Sequence, residues 1–313
     1  MPPPLQNILI LDCSTLLPGP FVGRLLHQLG ARVIKIENPD SPDGSKRMGK
    51  TYWRELNQEK EIVELNLKIP AARKIFEKYV KCADGLIEGF RPAAKQKLGL
   101  DSTTLHGINP NLCICSLTGY PEGGPEENRA GHEINFQARS GALSMTEGMP
   151  GLPLADLACA WQAALSLVSD ILAVKIRKSS CRRTVSSMYE SLTESQNIFI
   201  SEFRQTKISP TPGNTFLTGL YPCYQIYLTQ DRRRVSVGAL EEKFWDIFCK
   251  IIGIDPKEHP RLAQGEEGAR IRSMVQERLE TRTWSEWEPL FEQGNCCVEV
   301  VRDYREIFSG IQS

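Results

Sequence analysis

Neither sign of charge dominates this chain: Lys+Arg and Asp+Glu number 38 each in 313 residues, for a formal net charge of zero. That excludes a global basic field able to gather nucleic acid or a membrane surface, although a local cluster of Lys and Arg can still hold one polyanion. No run approaches the roughly 20 apolar residues that span a bilayer. The start, Met1-Pro2-Pro3-Pro4, has neither the basic leader nor the apolar region of a signal peptide. Ile311-Gln312-Ser313 is no peroxisomal address. A soluble protein is expected, with neither nucleic acid nor membrane as partner. No pair among the ten cysteines has C-x-x-C spacing, so no metal site is expected. Scattered through apolar runs, the cysteines read as reduced structural thiols of the cytosol or an organelle matrix. The Gly-x-Gly-x-x-Gly and Gly-Lys-Ser/Thr phosphate loops are missing as well. Histidine is scarce, with four in the chain.

The length predicts about two domains. Ile8–Leu11 reads as a buried strand ending in Asp12, Pro18-Gly19-Pro20 breaks the chain, and Phe21, Leu25, Leu26 and Leu29 recur at helical spacing up to Gly30. Val33–Ile36 is a second strand, which makes a β-α-β unit and a parallel pair. Residues 38–50 read as a loop, 62–67 as a strand, 71–80 as a helix, and 85–87 and 112–117 as strands. The segment 119–129 is a loop, 154–174 a long buried helix, and 185–203 helical. A linker at 205–215 precedes paired strands at 221–228 and 235–237, helices near 241–252, 267–281 and 283–293, and a strand at 297–301. The pattern predicts an α/β fold: a Rossmann-like large domain over residues 1–210 with an open parallel sheet, and a smaller α+β domain over 216–313.

Candidate chemistry concentrates in Gly131-His132-Glu133-Ile134-Asn135-Phe136 and in Asp156, alone in an apolar stretch. An imidazole and a carboxyl can take a proton from one face of a carbon and return it to the other. The bland alternative makes His132 a helix cap and Glu133 a first-turn acid. Lys46, Arg47, Lys50, Lys60, Lys68 and Arg91 fall in loops at one edge of the expected sheet and suit phosphates, with solvated surface charge as the alternative. Phe90-Arg91-Pro92, directly after a strand, suits a purine and a phosphate.

In order, Leu11-Asp12, Pro18-Gly19-Pro20, Leu29 to Glu37, Leu65-Asn66-Leu67-Lys68, Glu88 to Pro92, Leu117 to Tyr120, Gly131 to Asn135, Ala155-Asp156 and Val237 to Glu241 resemble the family III CoA-transferases, and among them the α-methylacyl-CoA racemases. The resemblance implies two interlocked chains, a homodimer, and an acyl-CoA thioester as substrate with no separate cofactor. It implies an adenosine end against Asn38, Leu65, Leu67, Phe90 and Arg91, further contacts from Arg47 and Gly131, and an active-site tyrosine at Tyr224. His132 and Asp156 become the proton-transfer pair, Glu133 and Glu241 the carboxylates that orient them, and backbone N–H groups after Asp156 the enolate site. Two alternatives stay open. One is a CoA-transferase in which Asp156 forms an acyl anhydride. The other is a non-catalytic relative that binds CoA or dimerises. The latter is motivated by a short Gly131-to-Asp156 segment, bulky residues after Asp156, Asn38 in place of an arginine, and the lack of a return segment before Ser313.

Overall fold

The computed structural model describes residues 2–177 and 183–309, with the Lys50 side chain excepted. Residues 178–182, with Cys181, and the terminal tripeptide lie outside the described residues. The chain divides into two compact units, Met1–Leu143 with Met149–Glu202, and Ser144–Gly148 with Phe203–Ser313.

The first unit runs β1 (Leu9–Asp12), α1 (Pro18–Gln28), β2 (Arg32–Glu37), α2 (Ser45–Met48), α3 (Lys50–Asn57), β3 (Glu61–Glu64), α4 (Pro70–Cys82), β4 (Gly85–Glu88), α5 (Pro92–Leu98), α6 (Ser102–Ile108), β5 (Cys113–Thr118), α7 (Glu133–Ser140), α8 (Leu154–Arg177), β6 (Arg183–Ser187) and α9 (Met188–Ser195). Its six strands are all parallel, in the order β3-β2-β1-β4-β5-β6. The order reverses between β1 and β4, and such a point opens a crevice outside the carboxyl ends of the strands. The inner strands are buried on both faces, which accounts for their unbroken Ile-Leu-Cys runs. One core cluster packs Ile10, Ile87 and Cys115 under Ala160, Ala163 and Leu167. The other packs Leu11, Ile34 and Leu86 against Phe76 and Val80.

Helix α10 (Asn197–Thr206) leads into the second unit, where β7 (Tyr224–Leu228), β8 (Arg234–Gly238) and β9 (Val298–Val300) form an antiparallel sheet. Its other elements are α11 (Glu242–Ile252), α12 (Gly265–Leu279), α13 (Trp284–Gly294) and α14 (Tyr304–Phe308). Val235, Val237, Trp245, Phe248, Val275, Trp287 and Phe291 share its core.

Three readings need correction. Arg183–Ser187 is the sixth strand and not the start of a helix, because pairing with β5 overrides its local pattern. Helix α8 buries Ala155, Cys159, Ala160, Ala163, Ala164, Leu167 and Ile171, whereas Trp161, Leu165 and Leu172 are 55–70% exposed. Small residues let the helix lie close to the sheet, and its near-continuous apolarity conceals which face is inward. The same helix has 24 residues and a mean hydropathy of 1.7 over its best window, long and apolar enough to cross a bilayer, with 33% of that window buried. Most cysteines do pack: Cys13, Cys115, Cys159, Cys223, Cys249 and Cys296 are buried, and burial raises each thiol, whereas Cys82 and Cys297 are exposed and depart from that expectation.

At the crevice floor, the Asp12 carboxylate is fully buried. It accepts hydrogen bonds from Lys60 Nζ at 2.8 Å and Ser14 Oγ at 2.5 Å, and Lys35 Nζ stands 3.4 Å away. Lys60 Nζ also reaches Pro20 O at 2.7 Å and Asn57 Oδ1 at 2.9 Å, while Lys35 Nζ donates to Ser14 O. The assignment of Lys60 to a phosphate cluster is therefore wrong: it clamps the start of α1 from below. Burial alone raises the Asp12 carboxyl, but Lys35 and Lys60 outweigh it and hold the group well below the usual carboxylate range. A depressed carboxyl contributes stability above its unfolded-state value, about 4, and loses it as pH falls toward its folded-state value. Asp12→Asn leaves two buried ammonium groups without a counter-charge. It is expected to cost about 3–5 kcal/mol at pH 7 in urea unfolding. The deficit should narrow below about pH 4; an equal deficit at pH 7 and pH 3 rejects this account.

Candidate active site

Two cavities lie in the crevice of the first unit. One, of about 340 Å³, takes its walls from the segments after β1, β4, β5 and β6 and from the start of α1, and both His132 and Asp156 line it. The other, of about 430 Å³, lies on the β2 side of β1 and is lined by Asn38, Leu65, Leu67, Lys68, Phe90 and Leu98 among others. Ser14, Thr15, Leu16 and Phe90 line both.

His132 is the N-cap of α7, with its backbone N–H donating to Asn135 Oδ1 at 3.0 Å and its ring exposed. Glu133 opens the helix, but its carboxylate turns to α8. Oε1 accepts from Ala155 N at 2.9 Å and Oε2 from Asp156 N at 2.8 Å. Gln137 Nε2, one turn on, adds a bond of 2.7 Å to Oε1. Glu133 thus caps the first turn of the 24-residue helix that carries Asp156. The enolate site was expected at N–H groups after Asp156; the first of these, Leu157 N, donates to Pro153 O at 3.0 Å, and the N–H groups of Ala155 and Asp156 are taken by Glu133.

Asp156 is half-buried. Burial, then the charge of Glu133 and a hydrogen bond with it, push its carboxyl up to about 7. A helix start ordinarily lowers a nearby carboxyl. Here Glu133 has already neutralised that positive end. The same field reaches α3, where burial and then the charges of Asp156 and Asp43 raise the Tyr52 phenol to about 12.

The other predicted residues separate. Asn38, Leu65 and Leu67 line the second cavity, Arg91 and Gly131 the first, and Phe90 both. Arg47 lies exposed on α2 and lines neither. Lys46 is held by Glu37 at 2.7 Å and sits over the Trp53 ring at 4.4 Å. Tyr224 opens β7 and lines a groove of the second unit with Gln225, Ser236 and Gly238, and Glu241 is the exposed N-cap of α11. Sequence reasoning missed Ser14, Lys95, Thr118 and Met188 in the first cavity. Ser14, Thr118 and Met188 follow or end parallel strands, so the rule that ligands sit beyond strand carboxyl ends would have found them, whereas Lys95 lies on α5. Lys95 is buried, 2.7 Å from Glu88, whose other oxygen accepts Phe90 N at 2.9 Å and so shapes the Gly89-Phe90-Arg91 turn. Among the described residues, no group of three or more His, Cys, Asp or Glu is placed to hold a metal ion.

The chain matches the sequence pattern of CoA-transferase family III over residues 5–312, and it belongs to that family. It is 29% identical to the alpha-methylacyl-CoA racemase of Homo sapiens over 97% of this chain and 79% of that protein. It is 27% identical to the succinyl-CoA:glutarate CoA-transferase of Mus musculus over 99% of this chain and 74% of that one. The crystal structure of a CAIB/BAIF family protein from Brucella suis superposes with a TM-score of 0.84 at 20% identity, covering 99% of this chain and 86% of that one.

A raised carboxyl makes stability complete below its unfolded-state value and lost as pH climbs through its folded-state value. Asp156→Asn, which cannot ionise, is accordingly expected to melt higher than the wild type at pH 8 and level with it below about pH 4. A variant that melts lower at pH 8 contradicts the assigned shift.

Proposed function

We propose that this member of CoA-transferase family III inverts the α-carbon of a branched acyl-CoA by moving a proton between His132 and Asp156. The observation that carries the reading is a carboxyl raised to about 7 in a cavity that an imidazole also lines. The α-proton of a thioester is a weak acid, so the enzyme must supply both a base and a site for the enolate charge. His132 takes the proton from one enantiomer while protonated Asp156 gives one from the opposite side, and the roles exchange for the other enantiomer. Three N–H donors bind the Glu133 carboxylate, and burial followed by the charge of Glu133 raises the Asp156 carboxyl, which makes Asp156 the proton donor of the site. The enolate oxygen is left to the start of α1, which meets the same cavity through Pro18 and Gly19.

Coenzyme A is part of the substrate in this reading and not a resident cofactor. Its adenosine end occupies the cavity of Asn38, Leu65, Leu67 and Phe90, and its thioester reaches the first cavity past the residues common to both. Buried thiols in both units favour a reducing compartment, the cytosol or an organelle matrix.

The test is incubation with a single enantiomer of a 2-methylacyl-CoA in heavy water. Deuterium should enter the α-position, and His132→Ala or Asp156→Ala should lower the rate at least ~10²-fold. For the enantiomer that His132 deprotonates, kcat should fall as pH rises through about 7, because Asp156 must begin protonated. In the second reading Asp156 is an ionised nucleophile, which predicts CoA exchange between two carboxylic acids that increases over the same range. CoA binding with neither reaction leaves the non-catalytic alternative.

We also propose association of two chains across α8. Trp161, Leu165, Leu172 and Ile176 fall on one face of that helix and are 58, 70, 55 and 70% exposed. Such a surface is ordinarily covered by a partner. Sedimentation should give a dimer and Leu165→Glu/Leu172→Glu a monomer; a monomeric wild type overturns this.

A further inference from the structure

Phe136 lies on α7 one turn beyond His132, and it is 5% exposed. Its ring edge is seated between two glycines. A Cβ built on Gly119 would meet Phe136 Cε1 and Cζ, both at 2.9 Å. One built on Gly131 would meet the same two atoms at 2.8 and 3.3 Å, and the Tyr120 hydroxyl at 3.2 Å. Ordinary carbon contacts lie near 3.5–4.0 Å, so neither position accepts any side chain while the ring stays in place. Neither glycine is at positive φ, so their role is space and not backbone freedom. Tyr120 fixes the ring from a third side, edge-on at 5.3 Å between centroids.

The two glycines are the roots of one segment. Between them the chain leaves the end of β5, supplies Glu122, Glu127 and Arg129 to the first cavity, and returns to His132. Both roots close on one ring edge, and that ring is carried by the helix His132 caps. Moving the ring moves Gly131, and with it the next residue.

We propose that Phe136 is a positioning residue: its ring edge, clasped by Gly119 and Gly131, sets where His132 stands in the cavity that Asp156 also lines. The geometry of the clasp is independent of the reaction; its consequence for turnover rests on the proton-transfer reading above. A misplacement of about 1 Å in a catalytic group costs on the order of 10²-fold in rate.

The experiment compares Gly131→Ala, Gly119→Ala and each of them combined with Phe136→Leu, which removes Cε1 and Cζ. Two readouts are taken on the full chain. One is α-proton exchange, separated into kcat and KM. The other is the His132 C2–H resonance in proton NMR, identified among four histidines by its loss in His132→Gln. Gly131→Ala is expected to lower kcat by about 10²-fold with KM little changed, and to displace the His132 resonance. Phe136→Leu in the same chain should restore most of both. Gly119→Ala should behave alike, since it strikes the same two atoms from the other root. If the single variants do not fold, recovery of the fold by Phe136→Leu supports the clasp, and no recovery overturns it. Single variants with wild-type kcat and resonance, or double variants no better than the singles, also overturn it. A wild type without proton exchange refutes the racemase reading, and the resonance still decides the clasp.

Discussion

The Glu133 carboxylate straddling the first turn of α8 is the contact on which the rest of the site depends. It spends both oxygens on backbone N–H groups and so joins the helix capped by His132 to the helix carrying Asp156. It also changes what that helix start can do. An unoccupied N-terminus favours negative charge, and a lone aspartate there would ionise readily. With Glu133 already in place, partial burial and then the neighbouring anion raise the Asp156 carboxyl to about 7. Capping and acid chemistry are therefore one arrangement, made by residues 23 apart in sequence.

A fully buried carboxylate beneath the crevice, at the end of β1, has the opposite environment. Asp12 is flanked by two ammonium groups and a hydroxyl, and it is held ionised. Asp156 has a carboxylate beside it and is pushed toward neutrality. Identity of the side chain decides neither state; the sign of the nearest charge does. The first arrangement is architectural, fastening the end of β1, the end of β2 and the start of α1. The second leaves a proton available to a ligand.

Much of this was legible in the chain. Parallel strands appear as short apolar runs, and His132 and Asp156, which line one cavity, stood out by scarcity: one histidine of four beside an acid, and one aspartate in an apolar helix. Roles were less legible than positions. Lys60 looks in sequence like Lys68, a cation in a polar stretch, yet Lys60 is buried on Asp12 while Lys68 lines a cavity. Glu133 was expected, with Glu241, to orient His132 and Asp156; its carboxylate binds the start of α8 and acts on Asp156. Helices α3, α5 and α6 are short and lack the long periodic stripe that reveals a helix. In α8 the stripe is hidden by apolar residues on every side.

By itself the sequence determined the parallel α/β class, the crevice loops and the choice of His132 and Asp156 as candidates, because period and residue chemistry are local properties. Tertiary structure alone decided which cations are consumed by internal partners, which face of α8 is left open, and the protonation of Asp156. Those depend on burial and on charges brought near by the fold, and neither can be read along a chain.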